Sequence, residues 1–213
     1  MSCDHSRFAH SLGVAHLGCQ MVRSVKEDQD QLDITERDVA CVKLAGLFHD
    51  LGHGPYSHTF EDFYKVFLVQ HVEANPHLRD VYGEGGAAIP DPPGPDWSHE
   101  NMSLVMVDGA LRYRGLEIDL DNLDAPLRQV AVGTTDSAAT AIDAATLRVG
   151  KHCDGEVLTS RDFVFVKELI WGGPVPEIER ALGGGFHGRT GQKQWMYEVV
   201  NNSHTGVDVG ECG

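Results

Sequence analysis

The sequence predicts a mostly α-helical fold, and three features carry that expectation. Apolar residues recur at spacings of three and four through residues 6–26 and again through 35–49. Helix-starting residues precede such runs: Thr35 with Asp38 three positions on resembles a capping box, and Ser98 is placed to cap another helix. Stretches dense in glycine and proline separate the runs, at 83–96 and 172–191. No internal repeat is visible.

The elements follow in order. Residues 6–26 read as a helix with two apolar stripes, one of Phe8, Leu12, Ala15, Cys19 and Val22, the other of His10, Val14, Leu17, Met21 and Val25. Apolar residues on two sides predict a buried helix. The polar segment 27–33 reads as a connection. The next helix carries Val39, Val42, Gly46 and His49 on one face, and Gly52, Gly54 and Pro55 end it. A short helix is expected over 56–72, holding Phe60, Phe63, Tyr64 and Phe67. The four prolines and four glycines of 83–96 predict a loop. From Ser98 a helix is expected to Tyr113, with Met102 and Met106 on the face of His99. Residues 133–156, rich in Ala, Thr and Asp, read as an inserted segment. Helices are expected again over 161–171, with Phe163, Val166, Lys167 and Ile170 in phase, and over 194–201, with a loop from 172 to 191 between them.

Composition narrows the function. A chain of 213 residues with 41% hydrophobic content is sized for one domain with a core of its own. A formal charge of −15 argues against broad binding to a phosphate backbone, so no strong nucleic-acid signal is present, while a nucleotide substrate stays compatible. No apolar stretch is long enough to span a bilayer and no leader precedes the first helix, so a soluble, intracellular protein without a membrane partner is expected. The five cysteines are scattered without a CxxC pair, and Cys19 and Cys41 read as buried free thiols.

Chemistry concentrates in Leu44–His58. It holds His49, Asp50, His53 and His58 directly after an apolar run. Imidazole nitrogen beside carboxylate oxygen suits divalent zinc, iron, manganese or magnesium. Neighbouring helical side chains diverge by about 100°, so His49 and Asp50 can serve one metal, or two adjacent ones, only at a fraying helix end, which is where the glycines place them. His10 lies on an inward stripe; a core histidine with satisfied nitrogens is the alternative reading there. Arg7 and Glu100, taken singly, read as surface residues before they read as site residues, and His53 reads also as a helix-end residue facing free carbonyls. His71, His77, His152, His187 and His204 fit no motif.

The order His10 … His49-Asp50 resembles the core of the HD superfamily of metal-dependent phosphohydrolases. The flanks resemble the SAM- and HD-domain deoxynucleoside triphosphate triphosphohydrolases in six ordered blocks: Arg7-Phe8-Ala9-His10-Ser11-Leu12-Gly13-Val14, Ile34–Val39, Leu47–His58, Trp97-Ser98-His99-Glu100, Phe165–Ile170 and Tyr197–Asn202. The resemblance implies an HD-domain helical bundle. It implies a divalent metal, iron or zinc with magnesium or manganese nearby, held by His10, His49 and Asp50. It implies cleavage of a dNTP, with dGTP the first to test, into deoxynucleoside and triphosphate by attack of a metal-activated water at the α-phosphorus. His58 takes the place of general acid, His53 and His99 of phosphate contacts or proton carriers, Glu100 of a partner orienting a histidine, and Arg7 of a triphosphate ligand. Glu61 keeps a carboxylate where the family has aspartate. A homo-oligomer and a nuclear location also follow from the resemblance.

The family's fourth ligand is an aspartate, and the matching position here is Gly210, with Asp208 and Glu211 beside it. The expectation is a single partial HD domain over 1–213, truncated at both ends, with loop insertions at 70–96 and 133–160. Two functional alternatives accompany the dNTPase reading. One is a catalytically impaired nucleotide- or metal-binding remnant; the other is phosphodiester or phosphomonoester hydrolysis, which the flanking blocks disfavour.

Overall fold

A computed structural model describes residues 6–63, 74, 98–130, 157–202 and 209. Helix α1 (Arg7–Asp28) starts where the Ser6 side chain accepts from the Ala9 amide. Helix α2 (Glu36–Phe48) starts at a reciprocal capping box: the Asp38 amide donates to the Thr35 hydroxyl at 3.2 Å and the Thr35 amide to the Asp38 carboxylate at 2.8 Å. The short α3 (His58–Phe63) precedes α4 (His99–Tyr113), whose cap Ser98 accepts from the Asn101 amide. Strands β1 (Leu116–Glu117) and β2 (Arg128–Gln129) pair antiparallel, Leu116 opposite Gln129. Then come α5 (Ser160–Trp171), α6 (Pro176–Leu182), a 3-10 turn (Gly191–Met196) and α7 (Tyr197–Val200).

The molecule is mostly helical, as expected, and α5 is its centre. Every residue from Asp162 to Ile170 is buried. It lies against α2, α4 and α7, while α2 lies in turn against α1. Val14, Val22, Val42, Ala45, Val107, Phe165, Leu169 and Met196 belong to the main core, and Leu116, Leu127, Leu158 and Phe163 form a smaller one beside the strands. Cys19 and Cys41 are buried free thiols within α1 and α2. Among the described residues no helix is long and apolar enough to cross a membrane.

Several expectations are corrected. Helix α1 is buried along one line only, Val14, Ala15, Gly18, Cys19 and Val22, whereas Phe8 is 71% exposed and Leu12 and Met21 are also open. The expected loop at 172–191 contains α6: Pro176 occupies its first turn, where no amide partner is lost, and Ile178 anchors it in the core. The last helix is 3-10 before it becomes α. The loop at 83–96, the inserted segment at 133–156 and the end of the expected 56–72 helix lie outside the described residues.

The crossing of α1 and α2 positions everything that follows. A Cβ at Gly46 would stand 2.9 Å from the Ala15 backbone, so the helices approach as closely as glycine allows. Gly46→Val is therefore expected to push them apart and lower stability by about 2–3 kcal/mol, read as a fall in the midpoint of thermal unfolding followed by circular dichroism.

Candidate metal centre

Four side chains converge on the Asp50 carboxylate. His10, from α1, places Nε2 at 3.4 Å from Oδ2, and His49, at the end of α2, places Nε2 at 3.2 Å from Oδ1. His53 Nε2 stands 3.5 Å from Oδ1 and Arg7 Nη1 3.4 Å from Oδ2. The His10 and His49 ring centroids are 5.4 Å apart. His49 Nδ1–H donates to the Gly46 carbonyl at 2.8 Å, which fixes the tautomer and leaves the Nε2 lone pair facing Asp50. Burial lowers the pKa of His49 against the opposing pull of Asp50, favouring the neutral form that ligates. His10, His49 and Asp50 each offer one atom within 4.8 Å of the others. Two imidazole nitrogens and one carboxylate oxygen fit a borderline-hard divalent ion.

A second cluster adjoins the first. His53, with only 5% of its side chain exposed, stacks on His99 at 3.9 Å and 5°. Burial first, and then the neighbouring His99, lowers its pKa to about 4, so it is neutral at pH 7. His99 stands between two carboxylates, Nδ1 3.1 Å from Glu61 and Nε2 3.3 Å from Glu100. His58 presents an exposed ring, edge-on to both His53 and His99, with Nδ1 3.7 Å from Glu61. Just before it, Tyr56 and Ser57 hold left-handed backbone at φ 66° and 54°, a strained arrangement typical of sites where geometry matters. Ser57 Oγ accepts a hydrogen bond from Arg7.

His10, His49, Asp50, His53, His58, His99 and Glu100 thus line one cleft of about 270 Å³, joined by Ile170, Val200 and Asn201. Arg7 reaches the same carboxylate. Asp208, Gly210 and Glu211 lie outside the described residues. Sequence reasoning passed over Ser103. Buried in α4, it donates to the His49 carbonyl at 2.6 Å and accepts from the Gly52 amide at 2.8 Å. It sits one turn after His99 on the same helix face, the signal that could have found it. A Cβ at Gly52 would stand 2.1 Å from the His99 carbonyl, so α4 presses directly on the turn that carries Asp50. Ser103→Ala is expected to lower stability by about 1–3 kcal/mol, because both backbone groups lose their partner; urea unfolding of the two proteins measures the difference.

Comparison with known proteins places these residues in context. Residues 7–82 match the HD domain family. Over 206 residues, 97% of this chain, the sequence is 32% identical to the deoxynucleoside triphosphate triphosphohydrolase SAMHD1 of Gallus gallus and covers 24% of that protein. The Homo sapiens SAMHD1 is 30% identical over 206 residues, 97% of this chain and 24% of its own length. A SAMHD1 homolog from Dictyostelium discoideum is 54% identical over 121 residues, 56% of this chain and 19% of its own length. The chain spans about a quarter of the length of the vertebrate proteins it matches.

Proposed function

We infer, from the premise that this chain carries an HD domain and resembles the SAMHD1 triphosphohydrolases, that it is a metal-dependent phosphohydrolase acting on deoxynucleoside triphosphates. The observation that carries the reading is the convergence of His10, His49 and Asp50 at the end of α2, with a histidine cluster beside it in one cleft. A divalent ion held by that triad supplies Lewis acidity and a water of lowered pKa. Iron or zinc suits the donors, with magnesium or manganese as companions.

The remaining chemistry belongs to the chain. Water attacks the α-phosphorus, the bond to the 5′ oxygen breaks, and the departing oxygen takes its proton from His58 at the cleft mouth. Glu61 fixes His99 from below, and neutral His53 offers phosphate a hydrogen bond without a competing charge. Arg7 gives its planar fork to the triphosphate. The products are deoxynucleoside and inorganic triphosphate. We take dGTP as the first substrate; the nuclear location and self-association implied by the resemblance belong to the same reading.

A second reading rests on Gly210, which stands where the resemblance asks for an aspartate ligand. With three protein ligands the chain would bind metal and nucleotide without turnover. Triphosphate release from dGTP, with added manganese or iron, separates the two. Release that falls by about 10²-fold or more in His58→Ala supports the hydrolase. Metal binding without release under any ion leaves the binding remnant.

A further inference from the structure

The three donors of the triad reach it by different routes. Gly46 lets α1 and α2 cross closely, and that crossing sets the His10 ring beside the His49 ring. Asp50 lies beyond the crossing, in the turn after α2. Within that turn the Leu51 amide donates to the Phe48 carbonyl and the His53 amide to the Asp50 carbonyl, each at 3.2 Å. The His49 carbonyl and the Gly52 amide face α4 instead, and both end on the Ser103 hydroxyl, at 2.6 and 2.8 Å. A hydroxyl can hold both because it donates and accepts at once. Ser103 is fully buried, and a Cβ at Gly52 would stand 2.4 Å from its amide. Removing the single oxygen leaves less room than a water molecule needs to take its place.

We propose that Ser103 is a positioning residue of the metal centre: its hydroxyl holds the 49–52 turn against α4, so that the Asp50 carboxylate meets His10 and His49 at one point. The inference rests on the proposed function, since it takes the triad to hold a divalent ion. Ser103 touches neither ion nor substrate and acts through the backbone on either side of Asp50. Donors to one ion must be held to within about 0.5 Å of their working geometry. The two histidines inherit that precision from packed helices, whereas Asp50 draws it from a turn of four residues and the serine behind it. The same hydroxyl ties the two clusters together. Ser103 follows His99 by one turn of α4, and His53, three residues after Asp50, stacks on His99 at 3.9 Å. Without the hydroxyl, the carbonyl and amide either stay buried without a partner or draw the turn away from α4 until water reaches them. The second course carries Asp50 out of register with the two imidazoles, and it is the one that relieves the desolvation cost.

Titration of the full chain with manganese(II), the free ion being counted by its electron paramagnetic resonance signal, tests it. Wild type is expected to bind the ion, and Ser103→Ala to bind it about 10–100-fold more weakly, the range for groups that orient metal ligands. Ser103→Cys keeps nearly the volume of serine but is a poor hydrogen-bond partner, and it should fall with alanine. Leu127→Val, in the small core beside the strands and outside the cleft lining, loosens the fold elsewhere and should bind as wild type does. All are compared at a temperature where circular dichroism shows each of them folded. Wild-type affinity in Ser103→Ala overturns the proposal and leaves the serine a stabilising contact alone. A cysteine variant as tight as wild type overturns it too, because filling the space would then suffice, and so does an equal loss in Leu127→Val, which would make the effect a general loosening. A wild type that binds no manganese, or one whose affinity Asp50→Asn leaves unchanged, removes the proposed function itself and this inference with it.

Discussion

On the proposed function, replacing Asp50 by asparagine is expected to empty the candidate metal centre and to cut triphosphate release by roughly 10³-fold or more, the scale on which residues acting as one catalytic unit are felt. The reasoning is geometric. Asp50 is the only carboxylate among the three donors, and three imidazoles and a guanidinium surround it within 3.5 Å. Asparagine keeps the shape and some of the hydrogen bonding, but it removes the negative charge that draws a divalent ion between the two imidazole rings. Metal content after dialysis and triphosphate release are the two readouts. Retention of one tightly held ion per chain in Asp50→Asn would place the metal elsewhere and sink the proposed centre.

The second large effect is expected far from the cleft. Arg189→Ala should lower stability by about 3 kcal/mol at neutral pH, the lower end of what removing one partner of a buried ion pair costs. Asp38 and Asp162, the carboxylates that cap α2 and α5, are each only 1% exposed, and Arg189 bridges them. It bonds Asp38 through Nε and Asp162 through Nη2, the latter at 2.7 Å, and lies over the Phe165 ring at 4.8 Å. Lys193 remains for Asp38 and Arg37 for Asp162, which keeps the loss from being larger. Arg189→Lys should recover only part, since an ammonium cannot reproduce the fork.

The same network sets an acid limit. Burial pushes the pKa of Asp38 up, but the Arg189 charge and the bonds from Lys193 and Thr35 outweigh it and hold the carboxyl below its ordinary value of 3.8. Asp162 is likewise held low against burial, by the Thr159 amide, Arg189 and Arg37. A depressed folded-state pKa means stability that is fully present above the ordinary value and lost as pH falls through the lowered one. Wild type should therefore keep these contributions at pH 5–7 and lose them only below about pH 4, with a shallower loss in Arg189→Ala. Denaturant unfolding across that range checks both points. A variant as stable as wild type at pH 7 would show that the bridge contributes nothing net.

Helices α1, α2, α4 and α5 were legible from period, and α2 and α4 also from their caps, Thr35 and Ser98, whose hydroxyls bond the first turns. Which stripe is covered was not legible. Phe8 and Leu12 are as apolar as Val14 and Val22, and only tertiary neighbours decide that the former stay exposed. Strands of two residues carry no alternation to read. In the cleft, helix ends and the family resemblance were enough to nominate the histidines and Glu100 beside His99, but not the partners distant in sequence. Glu61 meets His99 across 38 positions and Ser103 meets His49 across 54, and no local pattern encodes such pairings. Arg189 sits in a stretch whose glycines advertise a loop and conceal the guanidinium that unites two helix starts.

That bridge also has a consequence in time. Asp38 and Arg189 are 151 positions apart, so at about 5–20 residues per second of synthesis the carboxylate waits roughly eight to thirty seconds for its cation. The α1–α2 pair with His10, His49 and Asp50 is complete in sequence long before then. Its acidic end cannot leave water until residues 187–193 emerge, since an unpaired buried carboxylate is too costly. The α1–α2 pair is thus held open until the segment that carries Arg189 has been made, and its final packing waits on a cation 151 positions further along the chain.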